Sequence, residues 1–326
     1  MENPVARARG ETRAKPFSLT VPAPAKLNLF LHVTGRRSDG YHLLESLMVL
    51  IDVADTITVE LRDDGAIERT DPIPGVPQES DLAFRAAKLL KDHTGISLGA
   101  SISLVKRIPI GAGLGGGSSD AASVLLALNR LWRLDLSRTE LMSLGLKLGA
   151  DVPFFVFGNN AHVSGIGEVM QPVTVPRMDV LLAVPLVNVS TAEIFSAPGL
   201  IRNGDPARAH AFAAGSGRND LQPVAQQRYR AITDAMTRLQ RVNAVAPRGW
   251  ADNGVRMSGS GSAVFRIVAP VAPAASTAST ATTAPAADRS DCADPGDHSA
   301  AAGSDGIRVI RTRFLTRHPL REFVAK

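Results

Sequence analysis

The sequence predicts a two-domain α+β protein, and three observations carry that expectation. The chain has 326 residues, 44% of them hydrophobic and 21% charged, enough for two cores at about 100–200 residues per domain. Stretches with a two-residue apolar period alternate with stretches of helical character. Pro172, Pro176 and Pro185 punctuate the passage between the halves, which sets a boundary near residue 175 and domains of 17–175 and 176–326.

Residues 1–16 read as a basic tail, expected to be disordered, without the apolar run of a signal peptide. In the stretch from Lys26 to Val33, Leu27, Leu29, Leu31 and Val33 share one face of a strand, so Lys26 and Asn28 project from the other. Residues 47–61 also read as extended. Ser80 to His93 reads as a helix stopped by Gly95, and 101–107 as a strand ending before Pro109. A strongly apolar helix follows from Ser118 to Leu134. Ser137 and Glu140 stand at capping-box spacing and open a further helix that Gly149 closes. Residues 269–306 are dominated by Ala, Ser, Thr, Pro and Asp, with Val271 as the one large apolar residue. Such a segment buries too little surface to offset its ordering entropy. It reads as a disordered insertion between two strand-like runs, 257–268 and 307–315.

Composition excludes several classes. The single cysteine, Cys292, lies in the insertion and has no partner for a bridge, so nothing marks an oxidised, secreted protein. No stretch is long and apolar enough to span a bilayer. A cytoplasmic protein with no membrane partner is expected. The net charge of +5 divides into +2 over residues 1–16, +5 over 307–326 and −2 elsewhere. A nucleic-acid binder concentrates charge on a folded face interleaved with aromatics. The C-terminal charge here reads instead as a solvated face, and no nucleic-acid partner is expected. The seven histidines show no metal-ligand spacing, and no protein metal cluster is expected.

The most informative stretch is Pro109, Ile110, Gly111, Ala112, Gly113, Leu114, Gly115, Gly116, Gly117, Ser118 and Ser119, between a strand and a helix. Glycines let successive N–H groups turn inward as an anion nest. The helix start adds unpaired N–H groups and its positive dipole end. The two serine hydroxyls offer donors to phosphate or a ligand to a metal. This is the composition of a polyphosphate cradle. Gly111, Gly113 and Gly116 also fit a dinucleotide fingerprint, with Asp135 about twenty residues on. That reading lacks a second strand to present the carboxylate. A Walker A loop needs a lysine after the glycines, which is absent. A bare turn does not need five glycines, two serines and a long helix directly behind them.

The loop and the helix after it resemble the phosphate loop of the GHMP kinases, the superfamily of galactose, homoserine, mevalonate and phosphomevalonate kinases. Further matches are 24–29, 36–42, 149–155, 165–168, Asn219-Asp220-Leu221 and 257–261, so the resemblance covers about residues 20–268 and resumes weakly near His318. It implies an N-terminal domain like ribosomal protein S5 domain 2, a ferredoxin-like C-terminal domain and an active site in the cleft between them. The expanded loop is similar to the branch whose small-molecule substrate carries a cytidine diphosphate group. The implied reaction is ATP-dependent phosphorylation of that substrate's 2-hydroxyl, with Mg²⁺ carried on the nucleotide phosphates and helped by Ser118 or Ser119. A monomer or weak homodimer is expected. Two other readings stay open: a GHMP-type kinase of another small alcohol, and a non-catalytic nucleotide-binding regulator.

The residues alone favour plain roles for Lys26, as a salt-bridged or edge lysine, and for Asp151, as a helix cap. The resemblance assigns them chemistry instead. Asp151 matches the base that takes the proton from the acceptor hydroxyl, and Lys26 the cation that holds base and hydroxyl in place. It likewise places Asn28, Tyr41, His42, Thr191 and Phe195 at the acceptor, with Tyr41 and Phe195 covering the two faces of cytosine. Tyr41 as a turn residue and Phe195 as ordinary core remain the alternatives. One departure stands out: Asp81 occupies a position on the adenine side where close relatives are expected to have asparagine, and a carboxylate only accepts hydrogen bonds.

Overall fold

The computed structural model describes residues 17–204, 217–245, 254–270 and 306–324. The tail 1–16, nearly all of the insertion and Cys292 lie outside the described residues. Strands β1 (Ser18–Arg36) and β2 (His42–Arg62) form a long antiparallel hairpin. Its turn closes through Arg37 N–H donating to Tyr41 O and Gly40 N–H to Arg37 O. β1 runs along one edge of β2. On the other edge, β4 (Gly99–Val105) pairs with one end and β5 (Ala161–Gly165) with the opposite end. β3 (Ile67–Arg69) and β6 (Val169–Pro172) complete a six-stranded sheet. The second sheet has the order β10-β7-β9-β8, built from β7 (Asp179–Pro185), β8 (Arg256–Met257), β9 (Val264–Val268) and β10 (Ile307–Arg313).

Three buried clusters stack the layers. Helices α1 (Leu82–Thr94), α2 (Gly116–Leu131), α3 (Arg138–Leu146) and α4 (Val152–Phe157) share the first with Met48, Leu50, Ile57 and Val59 of β2. Between the sheets, Leu47, Val49 and Ile51 meet Val180, Leu182 and Phe265. The third cluster packs α5 (Thr191–Ser196), α6 (Gln222–Arg228) and α7 (Arg230–Gln240) on the outer face of the second sheet. The order is helices, sheet, sheet, helices, with an apolar core at each interface.

Local chemistry sets the element ends. α1 starts at Leu82, two residues later than the sequence suggests, because the Asp81 carboxylate accepts from Ala83 N and Phe84 N as an N-cap. Gly95 ends it in the left-handed conformation, as expected. The capping box of Ser137 and Glu140 is formed. α3 stops at Leu146 rather than at Gly149, whose N–H still reaches Gly145 O. α2 is nearly all buried from Ser119 to Asn129, which explains its apolar sequence. It ends at Leu131, ahead of the expected Leu134, and Arg133 and Asp135 then take positive φ.

One strand expectation fails in detail. Leu27, Leu29, Leu31 and Val33 do not line one core: the first two lie between the sheets, and the last two in the third cluster. The pairing of β1 with β2 shifts register between Asn28 and Phe30, and again at Pro24/Ala25 and Val33/Gly35. An extra residue in a strand reverses the faces beyond it. Two of these shifts flank Lys26 and Asn28.

Candidate active site

The glycine loop from Pro109 to Gly115 connects β4 to α2 across the top of β1. Three successive carbonyls face the protein body. Ala112 O accepts from Ala263 N (3.0 Å), Gly113 O from Ser258 Oγ (3.2 Å) and Leu114 O from Lys26 N (3.0 Å). Alternate glycines, Gly111, Gly113 and Gly115, sit at φ 70°, 73° and 72°, a conformation that costs L-residues with a side chain. At Gly113 space also decides, because a Cβ there comes within 2.4 Å of Ser258 O. α2 then opens at Gly116 with no side-chain cap. Its first-turn N–H groups have no partner within the helix and face the region an anion would occupy.

Ser118 lines the cleft. Ser119 is placed differently from the expectation: it is fully buried, and its hydroxyl donates to Pro24 O at 2.6 Å, which ties α2 to β1. Its Oγ is thereby committed within the protein and is not a donor to phosphate. Magnesium fits the site as a companion of bound phosphates, with the Ser118 hydroxyl as the available protein oxygen. Among the described residues, no group of three or more His, Cys, Asp or Glu is arranged to hold an ion.

The cleft, about 530 Å³, runs past Lys26 and Asp151. Lys26 is buried at 4% exposure, which a charged group tolerates only with partners. It donates to Asn28 Oδ1 at 2.5 Å, and its Nζ lies 3.4 Å from Asp151 Oδ2. Asn28 is locked in turn: its Nδ2 donates to Ser46 Oγ (2.8 Å) and its backbone N–H to Ser258 Oγ (3.2 Å). Asp151 stands at the N-terminus of α4, yet its side chain makes no capping bond. The side chain is 40% exposed toward the cleft, with Lys26 as its ion-pair partner. A carboxylate with one partner and an open side has the geometry of a base.

Of the residues expected at the acceptor, His42 and Phe195 come together, with ring centroids 5.1 Å apart. Phe195 packs on the third cluster and also lines the cleft, so both readings of it describe real contacts. Thr191 Oγ1 lies 2.8 Å from Ser260 Oγ on the cleft wall. Tyr41 stands on the hairpin turn at 62% exposure. Burial pushes the His42 imidazole below its ordinary value, and the Arg202 and Arg36 guanidiniums add to that.

Several residues around the cleft have partners that the sequence did not indicate. Asp81 lines the far end of the cleft, but its carboxylate is occupied. One oxygen caps α1, and the other pairs with Arg69 at 2.8 Å, both side chains being nearly buried. Lys106 Nζ bridges Asp55 and Asp120 beneath the loop, at 2.5 Å to each. Asn219 Nδ2 donates to Met257 O and Gly259 O, fixing the turn that supplies Ser258 and Ser260.

The family model described as "GHMP kinases N terminal domain" matches residues 81–159. A Burkholderia mallei protein named 4-diphosphocytidyl-2-C-methyl-D-erythritol kinase is 52% identical over 255 residues, covering 74% of this chain and 83% of its own length. A Ralstonia nicotianae protein of the same name is 53% identical over 251 residues, with 75% and 83% covered. A crystal structure titled 4-(cytidine 5'-diphospho)-2C-methyl-D-erythritol kinase superposes with a TM-score of 0.65 at 35% identity, covering 76% of this chain and 90% of that one. At these identities and coverages, the chain belongs to the 4-diphosphocytidyl-2-C-methyl-D-erythritol kinase family of GHMP kinases.

Proposed function

We propose that this chain transfers the γ-phosphoryl group of ATP to the 2-hydroxyl of 4-diphosphocytidyl-2-C-methyl-D-erythritol, releasing ADP. The observation that carries the reading is the pair of Asp151 and Lys26 at the cleft beside the glycine loop, 3.4 Å apart, with Asp151 making no helix cap. Asp151 accepts the hydroxyl proton as the oxygen bonds to phosphorus and the bond to the ADP oxygen breaks. Lys26 offsets charge spreading over the transferring group, and Asn28 and Ser46 keep its ammonium in place. The loop from Pro109 to Ser118 holds the phosphates through backbone N–H groups. Magnesium supplies charge neutralisation on the nucleotide when bound. His42, Phe195, Thr191 and Tyr41 take the cytidine end, supported by the 5.1 Å approach of the first two rings. The chain divides near residue 175, where it passes from the first sheet to the second. It works in the cytoplasm as a monomer or weak homodimer.

The test is ADP release with Mg-ATP and the cytidyl diphosphate acceptor, run beside homoserine, mevalonate and no acceptor. Asp151→Asn is expected to lower kcat by about 10²–10⁴-fold with ATP affinity retained. Turnover on another alcohol discards the cytidine pocket; ATP binding with no turnover on any acceptor discards the kinase.

A further inference from the structure

Arg202 lies in the segment after α5, between the short motifs that carry the family resemblance, and its guanidinium uses four of its five N–H groups at one place. Nε donates to His42 Nε2 (3.2 Å), Nη1 to Leu200 O (3.2 Å), and Nη2 to Phe195 O (3.1 Å) and Ala197 O (2.8 Å). Three of these bonds gather the carbonyls at and just beyond the C-terminal end of α5, where a cation complements the helix dipole. The fourth crosses to the start of β2. An imidazole nitrogen that accepts a hydrogen bond carries no proton, and an arginine has no acceptor to offer, so the ring's proton belongs on Nδ1.

We propose that Arg202 is a positioning residue for acceptor selection, holding His42 as the Nδ1–H tautomer and fixing Phe195 against it. This rests on reading the His42–Phe195 pocket as the seat of the acceptor's base. Two rings 5.1 Å apart define that wall only if both are held. Phe195 sits on a six-residue helix, and His42 on the last paired residue of a hairpin opposite Arg36. Arg202 bonds to both elements at once. A nucleobase read by hydrogen bonds needs a fixed donor pattern, because a wrong tautomer presents a lone pair where a proton is required. The charged groups facing His42 are Arg202 and its cross-strand partner Arg36, and both disfavour imidazolium.

The experiment compares wild type, Arg202→Met and Arg202→Lys by ¹⁵N NMR of the His42 ring in the free protein and by steady-state kinetics from pH 5.5 to 8. The wild-type ring is expected to show Nδ1–H and to titrate below 6.5. In Arg202→Met the tautomers mix, the titration rises toward 6.5, and the acceptor KM rises about tenfold and climbs further at acid pH. The KM for ATP and kcat stay within about twofold. Lysine keeps the charge but not the fork, so it does not restore the acceptor KM. An Nε2–H ring in wild type overturns the proposal whatever the kinetics show, and so does full recovery in Arg202→Lys. A correct tautomer with an unmoved acceptor KM overturns it too, and then discards the base-pocket reading with it. Should Arg202→Met not fold, the wild-type spectrum and Arg202→Lys decide between the same outcomes.

Discussion

Lys106 lies between two carboxylates, and the charges of that group must balance under the glycine loop. Asp55 Oδ1 accepts from Arg107 N and Ile108 N, while its Oδ2 and that of Asp120 both meet the Lys106 ammonium. Burial pushes the Asp120 carboxyl up to about 8, against the pull of Lys106 and with the help of Asp55. Burial also works against the Lys106 ammonium, and the two carboxylates more than offset it. Lys106 thus stays charged while Asp120 holds its proton. Because the folded chain keeps a proton that the unfolded chain releases above 3.8, this contribution is complete below that pH and is lost as pH rises through about 8. Asp120→Asn, which mimics the neutral acid, is therefore expected to match wild type only below about 3.8, to be more stable than wild type at pH 6, and to flatten the fall between pH 5 and 8. Asp55→Asn removes a carboxyl partner of the largely buried Lys106 ammonium and is expected to cost about 3–5 kcal/mol. Urea denaturation at pH 5, 6 and 8 measures both; equal losses in the two variants would count against a neutral Asp120. None of this was legible in the sequence, where Asp55, Lys106 and Asp120 are an unremarkable scatter of charges.

Among the elements, the phosphate loop was legible and its support was not. Five glycines and two serines ahead of an apolar helix admit few conformations, so the sequence placed the glycine turn between β4 and α2, where the structure has it, though Ser119 turned inward to Pro24 O. Two of the loop's three carbonyl anchors come from Ser258 and Ala263, about 150 positions away, and the third from Lys26; the run 257–261 matched the family in the sequence, but nothing in it showed a bond to Gly113. Ser258 joins this turn to Asn28 N as well as to Gly113 O, coupling the loop to the strand that carries Lys26. Gly113→Ala meets backbone at 2.4 Å and is expected to abolish measurable ATP binding. Ser258→Ala removes a bridge without a clash. It is expected to raise the ATP KM several-fold while leaving the acceptor KM within about twofold, at about 1 kcal/mol for a lost hydrogen bond. Titration calorimetry with ATP and initial-rate kinetics check the pair. Normal ATP binding by the Gly113→Ala variant would remove the loop geometry from the argument.

Across the whole molecule, the C-terminal segment closes the structure by returning to the first half. Leu315 N–H donates to Leu50 O, His318 N–H to Gly158 O, and Arg138 binds the carbonyls of Val156 and Arg321. Its charge, expected to form a solvated face, stays at the surface and is partly paired there: Arg311 pairs with Asp179, and Arg313 with Asp52, both arginine side chains exposed. His318 is fully buried, and its Nδ1 accepts from Leu320 N. Burial, reinforced by the Arg138 charge, lowers it from 6.5 to about 3. The unfolded chain takes up that proton first, so the contribution is complete above 6.5 and is lost as pH falls toward 3. Between pH 7.5 and 5, wild type is expected to lose about 2 kcal/mol through this one residue. His318→Asn keeps an acceptor without titrating and is expected to lose that part of the acid slope, as thermal midpoints at the two pH values would report. An unchanged slope in the variant assigns the acid sensitivity elsewhere.

Local sequence was enough to place α1, α2 and α3 to within a few residues, with the Ser137–Glu140 capping box and the Gly95 stop, the glycine loop and, through short matching segments, the kinase family, because these depend on backbone geometry and on residues close in the chain. Which face Leu31 takes was settled by tertiary pairing, since the register shifts in β1 arise from its contact with β2. Packing likewise made Ser119 an anchor for a helix rather than for a phosphate, filled Asp81 with Arg69, and brought Arg202 to His42. Each of these is a contact between distant segments, and such contacts depend on how layers pack, which no local pattern of residues records.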